Sequence, residues 1–220
     1  MIRLFCGYEA AEAQGFHVFV QSVIARASEP VAVIPLAAMG LPTGSNSFTL
    51  SRFLIPYLCG FEGRAIFVDA SDMALAADVA GLAALADDRY AVQVVQHPDY
   101  QTRHPVKYRG TPLECANRDY PRKNWASVML VNCAHPGWTG MTPERIAAAH
   151  PLELLQFQFL ADEAIGALPP EWNRLVDEGH PLEGAALLHW TAGIPGFLEY
   201  MDAPGAAFWR GERAAMMLED

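Results

Sequence analysis

The stretch "RAIFVDASDM" (64–73) runs a strand-forming segment into two carboxylates, Asp69 and Asp72. In open α/β sheets ligands gather beyond the carboxyl ends of strands, so acids placed there can hold a cation or accept hydrogen bonds from a ligand. The same residue types also end strands and cap turns with no ligand involved. The pair alone leaves both readings open, and two further features bear on it. Arg52 stands inside the mostly apolar "TLSRFLIPYL", where a guanidinium either meets an anionic partner or snorkels to the surface. His189 ends the apolar run "ALLH", beside Trp190 and ahead of a Gly/Pro loop, as a metal ligand or as a satisfied core histidine.

These residues need a scaffold, and the order of apolar segments describes one. "IRLFCG" and "PVAVIPL" read as strands, and between them "GFHVFVQSVIARAS" spaces Phe16, Phe19, Val20, Val23 and Ile24 as a helix does. His17 is expected on the apolar face of that helix. "SFTLSRFLIPYLCG" is expected to form a second helix with Pro56 in its first turns or at a kink. The strand "RAIFVD", a helix near "DVAGLAALA" and the strand "YAVQVVQ" follow, so the class is α/β: a central, mostly parallel twisted sheet flanked by helices.

Beyond this, residues 97–123 hold four prolines and scattered basic residues without a period, as expected of a long irregular excursion that serves a site. His97 and His104 flank "PDYQTR" in it and could coordinate a ligand, but the prolines beside each favour ordinary turn positions. "NWASVMLVN" is another strand. "TPERIAAAH" is a helix with Thr142 as N-cap, Pro143 at its first position and Glu144 in its first turn. "LLQFQFLADEAIGALPPEWN" is expected to be a helix running into a Pro-Pro turn, and "EWNRLVDEGHPLEG" a solvated connection. The tryptophans read as packing residues, with Trp190 adjoining the site.

Bulk properties narrow the partners. A chain of 220 residues, 52% hydrophobic, can bury one sizeable core, so residues 1–220 are expected to form a single domain. The net charge of −10 argues against nucleic acid or an anionic membrane surface as partner, since both need a basic face. No signal-peptide pattern and no apolar run long enough to span a bilayer is present, which leads to the expectation of a soluble, cytoplasmic protein. Cys6, Cys59, Cys115 and Cys133 form no Cys-x-x-Cys pair and read as free thiols.

Taken in order, "FTLSRFLIPYLCGFEGRAIFVDASDM", "RKNWASVMLVN", "FLADEAIGALPPEWN" and "LLHWTAGIPGF" resemble the GT-A glycosyltransferases of family 8, to which glycogenin belongs, and more closely a bacterial glycosyltransferase-like branch. The resemblance runs from Ile2 to about Tyr200. It implies a nucleotide-sugar donor, often a UDP-sugar, and a divalent cation, Mn²⁺ or Mg²⁺, held by Asp69, Asp72 and His189. It implies that Arg52 contacts the donor and that Gly7, Tyr8 and Glu9 cradle the nucleoside, with Tyr8 stacking on the base. Asn124 and Ser127 would line the sugar pocket, and Asp162 and Glu163 would read the sugar hydroxyls. The acceptor, a glycan, lipid or small molecule, does not carry over, nor does the oligomeric state.

This chain departs from the pattern at three places. Its acidic motif, Asp-Ala-Ser-Asp, has one residue more than Asp-x-Asp, so Asp69 or Ser71 occupies the first position and Asp72 is the firmer ligand. Relatives end on His-x-x-Gly-x-x-Lys-Pro-Trp, whereas "HWTAGIPGF" has no lysine, which leaves Arg118, Arg122 or Lys123 to neutralise a diphosphate. Ala161 stands where relatives carry an acid. The implied function is a metal-dependent, retaining transfer of a sugar from a nucleotide-sugar. A degenerate member that binds a nucleotide-sugar without transfer is the alternative, and a phosphatase-like enzyme using Asp69 as nucleophile would leave Arg52 and His189 without a task.

Overall fold

The computed structural model describes residues 1–216. In chain order the regular elements are β1 (Ile2–Gly7), α1 (Ala13–Arg26), β2 (Val31–Leu36), α2 (Ile55–Leu58), β3 (Arg64–Val68), β4 (Met73–Leu75), α3 (Val79–Ala83) and β5 (Val92–Val95). They continue with β6 (Val106–Lys107), β7 (Cys115–Ala116), β8 (Val128–Asn132), α4 (Pro143–Ala148), α5 (Pro151–Leu155), β9 (Ile165–Leu168), β10 (Arg174–Leu175), β11 (Leu187–His189) and α6 (Ala206–Met216).

Six strands form the central sheet in the order β2-β1-β3-β8-β5-β9. Neighbours are parallel except at β8, which runs against both β3 and β5. The sheet is mostly parallel, as expected, with one reversed strand at its centre. Both faces are covered, which is why the strands read as continuous apolar runs. On β3, Ile66 and Val68 face one core with Phe16, Phe19 and Val23 of α1, while Ala65 and Phe67 face the other with Phe48, Phe53 and Trp138.

A smaller sheet, β10-β11-β4, stands beside the large one. β4 begins directly after Asp72 and pairs antiparallel with β11, matching Met73 with His189. The backbone N–H of Trp190 donates to the Asp72 carbonyl at 2.9 Å and continues that ladder. No helix is long and apolar enough to cross a membrane among the described residues.

Several expected elements differ. Arg52 lies in a 3-10 turn, Ser51–Leu54, that leads into α2. Pro56 has no N–H to give the Arg52 carbonyl, so a regular α-helix cannot extend back through this turn. The helix expected over "LLQFQFLADEAIG" is only α5; the chain then turns, and "IGAL" becomes the edge strand β9. A short apolar run fits either state, and the open edge of β5 decides it. The excursion carries the β6–β7 hairpin, and the "solvated" segment after Glu171 carries β10 with Asn173 fully buried. His17 points to solvent rather than into the core. All four cysteines are free, as read.

Helix α1 packs against the turn that holds Asp72 so closely that a Cβ on Gly15 would overlap the Ser71 carbonyl oxygen. Helix propensity alone would make Gly15→Ala stabilising by about 1 kcal/mol. The overlap with rigid backbone reverses the sign, and Gly15→Ala should lower stability by about 1–3 kcal/mol in urea unfolding. A raised unfolding midpoint would contradict this packing.

Candidate active site

Asp69 follows β3, and its N–H donates to the Ser127 carbonyl at 3.0 Å, which continues the β3–β8 ladder by one step. The chain then makes one 3-10 turn, Ala70–Asp72, before entering β4. Ser71 fixes this turn: its Oγ donates to the Gly7 carbonyl at 3.1 Å and accepts from the Glu9 N–H at 3.0 Å. The pairing of β4 with β11 brings in His189. One ligand atom from each of Asp69, Asp72 and His189 lies within 4.8 Å of the others. Three ligand atoms this close could hold a single ion.

Arg52 answers the first sequence alternative: it has an anionic partner. Its Nη1 lies 2.7 Å from Asp69 Oδ1 and donates to the Ala126 carbonyl at 2.7 Å. Its guanidinium stacks between Phe48 and Phe67 at 5.2 and 4.9 Å. The approach to Asp69 is an ion contact without hydrogen-bond angles, so Asp69 Oδ1 still accepts no hydrogen bond, and neither does Asp72 Oδ1. Arg52 Nε and Asn124 Nδ2 are also buried without partners. Native interiors rarely leave such atoms unsatisfied. All four belong to residues that line one cavity, where they could meet a bound group.

The orientation of His189 is set by a relay. Ser127 Oγ donates to the Asn124 carbonyl at 2.6 Å, so it can only accept from Asn173 Nδ2, 2.8 Å away. Asn173 Oδ1 is then turned to accept from Nδ1 of His189 at 2.9 Å. The free nitrogen, Nε2, faces Asp72 Oδ2 at 3.5 Å. A histidine whose Nδ1–H is held this way leaves Nε2 as the nitrogen that could bind a metal when the ring is neutral, and the partner that fixes the tautomer raises its basicity.

Charge coupling follows from this crowding. Burial pushes the Asp69 carboxyl up to about 6 against the lowering pull of Arg52, and Asp72 adds to the rise. Burial opposes the His189 imidazolium, yet Asp72, Asp69 and Asp177 together hold its pKa above the usual histidine value. Glu12, a further buried acid, is raised well above the carboxylate range by burial and then by Asp72. Its Oε1 has no hydrogen-bond partner either.

The cluster forms one wall of a cavity of about 410 Å³. Arg52, Lys123, Asn124 and Ser127 line it, as do Lys107, Tyr108, Asn117, Arg118, Asp119 and Tyr120 from the excursion. Glu178 pins the base of the excursion, accepting from Tyr100 OH at 2.7 Å, Thr102 Oγ1 at 2.6 Å and the Arg103 N–H at 2.6 Å. Gly7, Tyr8 and Glu9 sit one layer behind the lining. Glu9 accepts from the Ser47 N–H at 2.8 Å beside the Gly44–Asn46 rim, and the Tyr8 ring packs edge-on against Phe16.

Asp162 and Glu163 are not brought to the cavity. They are exposed in the turn before β9, and Asp162 pairs outward with Arg122 at 2.6 Å. Through the strand registers Ile165 is level with Ala65, four residue steps, or roughly 13 Å, from the level of Asp69. Trp190 is buried with its Nε1 donating to the Pro204 carbonyl, so it packs rather than faces the site. Asn173, Glu12 and Lys107 are neighbours of the cluster that the sequence did not single out, and His97, read as a turn position, contacts Asn173. For Asn173 the only signal was its place at the end of "LPPEWN".

No model of a known protein family matches this chain. Protein CDI of Arabidopsis thaliana is 36% identical over 228 residues, covering 96% of this chain and 85% of the plant protein. Among solved structures, the apo bifunctional glycosyltransferase WbbM aligns at TM-score 0.67 and 12% identity over 97% of this chain. This chain spans only 49% of WbbM. The galactosyltransferase LgtC, solved with donor and acceptor sugar analogues, aligns at TM-score 0.62 and 12% identity over 100% of this chain and 98% of LgtC. GlyE of Streptococcus pneumoniae aligns at TM-score 0.64 and 12% identity, over 100% of this chain and 60% of GlyE. At these identities the likeness is one of fold, and the fold is GT-A.

His97 Nε2 lies 3.2 Å from Asn173 Nδ2 and accepts from it only when the imidazole is neutral. Burial, then His180 and His189, push its pKa down to about 3. The unfolded chain takes up this proton near pH 6.5, well before the native state does. Stability should therefore fall as pH drops from about 6.5 toward 3, and His97→Gln should make the urea midpoint less sensitive to pH across that window. Equal pH slopes for parent and variant would remove His97 from the relay.

Proposed function

We propose that this chain, which belongs to the family of Protein CDI from Arabidopsis thaliana, is a single-domain, metal-dependent glycosyltransferase that moves a sugar from a UDP-sugar to a glycan, lipid or small-molecule acceptor. One observation carries the reading: Asp69 Oδ1 and Asp72 Oδ1 are buried without hydrogen bonds and converge with His189 on a cavity lined by cationic side chains. Two carboxylates and an imidazole suit a divalent cation, and the nitrogen ligand favours Mn²⁺ over Mg²⁺. When bound, the cation would serve as a Lewis acid for the departing diphosphate. The resemblance to family 8 supports UDP as the nucleotide and retention at the anomeric carbon.

The chain's own residues would supply positioning and charge. Asp69, Asp72 and His189 would hold the cation, with Asn173 keeping the His189 lone pair inward. Arg52, fixed between two phenylalanines, would hold Asp69 in place and add positive charge where the leaving group gains negative charge. Asn124 and Ser127 would line the sugar end, and Gly7, Tyr8 and Glu9 would support the nucleoside end. Asp162 and Glu163 have no part in this reading because of where they stand. Arg122 is likewise turned away, bound to Asp162 and to the Gln156 carbonyl.

A thermal-shift panel of nucleotide-sugars with Mn²⁺ tests the reading, since a donor stabilises in proportion to its binding. A UDP-sugar should raise the melting temperature only with Mn²⁺, and release of UDP should follow. Asp72→Ala should abolish the metal-dependent shift, and Asn173→Ala should weaken Mn²⁺ binding by about 10- to 100-fold in calorimetry. No stabilisation by any nucleotide-sugar, or an unchanged response in Asp72→Ala, would overturn the assignment. Binding without release of UDP, with any acceptor or water, would select the degenerate binding protein.

A further inference from the structure

We infer that Lys107 is the phosphate-contacting cation of this cavity, taking the diphosphate of a nucleoside diphosphate between its ammonium and the Asp69–Asp72–His189 cluster. The inference rests on the function proposed above and names a residue that neither the motif order nor the resemblance singles out. The cations at the cavity differ in how many donors each still has to give.

Lys123 lines the cavity, but its three N–H donors are all engaged. Its Nζ donates to Asn117 Oδ1 at 2.6 Å and to the Arg118 carbonyl at 3.0 Å, and it sits 3.5 Å from Asp119 Oδ1. Asn117 Nδ2 in turn donates to Thr102 Oγ1 at 2.8 Å, so the lysine is part of the brace that holds the excursion. Arg52 is committed to Asp69 and the Ala126 carbonyl, and Arg122 faces outward. Arg118 lines the cavity from an exposed stretch with no strand to fix it.

Lys107 differs on every count. It lines the cavity, is half-buried, and makes no salt bridge or side-chain hydrogen bond among the described residues; Glu12 and Asp69 feel its charge, and the Tyr108 ring centre lies 5.6 Å from its ammonium. Its backbone is fixed on both sides. Lys107 pairs with Cys115 in the β6–β7 hairpin, and the next residue, buried Tyr108, donates its N–H to the Ala192 carbonyl at 2.6 Å. Ala192 belongs to the loop after His189, where this chain has no lysine of its own. The hairpin thus delivers a lysine to the side of the cavity that the C-terminal loop leaves without one.

A divalent cation held by Asp69 and Asp72 would offset their charge, and the Lys107 ammonium would then face a site that no longer attracts it unless an anion lies between them. A diphosphate fits that requirement, because one anion can meet the cation with one set of oxygens and three free N–H donors with another. The net charge of −10 makes an uncommitted lysine in a cavity more informative here than on a basic protein.

Calorimetry of the full chain with UDP under saturating Mn²⁺, and with Mn²⁺ alone, tests this. Lys107→Met should weaken UDP binding at least about tenfold while leaving Mn²⁺ affinity unchanged or tighter, and Lys107→Arg should retain UDP affinity within about threefold. Arg118→Met should move UDP affinity by less than about threefold. UDP affinity in a folded Lys107→Met variant within twofold of the parent would overturn the inference, as would a parallel loss of Mn²⁺ and UDP binding in both Lys107 variants. A parent that binds no UDP at all would instead remove the proposed function on which the inference rests.

Discussion

The antiparallel pairing of β4 with β11 is the contact on which the site depends. It places His189 opposite Met73, so an imidazole from the C-terminal part of the chain lies beside Asp72 at the exit of β3. Short strands pair weakly alone, and this one is braced from both sides: α1 packs on the turn before β4, and β10 pairs with β11 from the other edge. The same arrangement carries the relay, because the turn that leads into β10 holds Asn173. Packing thus fixes which nitrogen of His189 faces the acids.

Gathering acids in this way works against stability, and the surrounding residues limit the effect. Asp69 lies against a guanidinium that aromatic rings hold in place, and Glu12 is held toward its neutral form by burial and by Asp72. Asp72 Oδ1 accepts no hydrogen bond, and Asp69 Oδ1 meets only the ion contact from Arg52. Together with His189 these two acids form a group whose ligand atoms lie close enough that it could hold a cation. The excursion closes the opposite side, and its bracing by Glu178 and Lys123 makes it a structured wall although it has little regular structure.

The sequence showed the sheet clearly where strands are buried on both faces, since "RAIFV" and "VQVV" have no polar interruption. The acids and His189 stand out at strand ends in the sequence, and the fold brings the three together. The sequence failed where tertiary pairing decides the outcome. "IGAL" looks helical in the run that begins at Leu154, and only the open edge of β5 makes it a strand. Asn173 and Glu178 look like parts of a charged, solvated segment, yet both are buried because they bond to elements distant in sequence. Asp162 and Glu163 keep their place in the motif order, but the strand that follows them begins level with the start of β3. Lys107 lies in a stretch with no period at all, and nothing short of its pairing with Cys115 locates it.

Anomalous diffraction from crystals soaked in Mn²⁺ and UDP tests the central claim most directly. The account requires one strong peak bonded to Asp69, Asp72 and His189, with the nucleotide's phosphates on the cavity side of the ion. A peak elsewhere on the protein with these three side chains unliganded, or UDP bound in the cavity with no ion at the cluster, would contradict it.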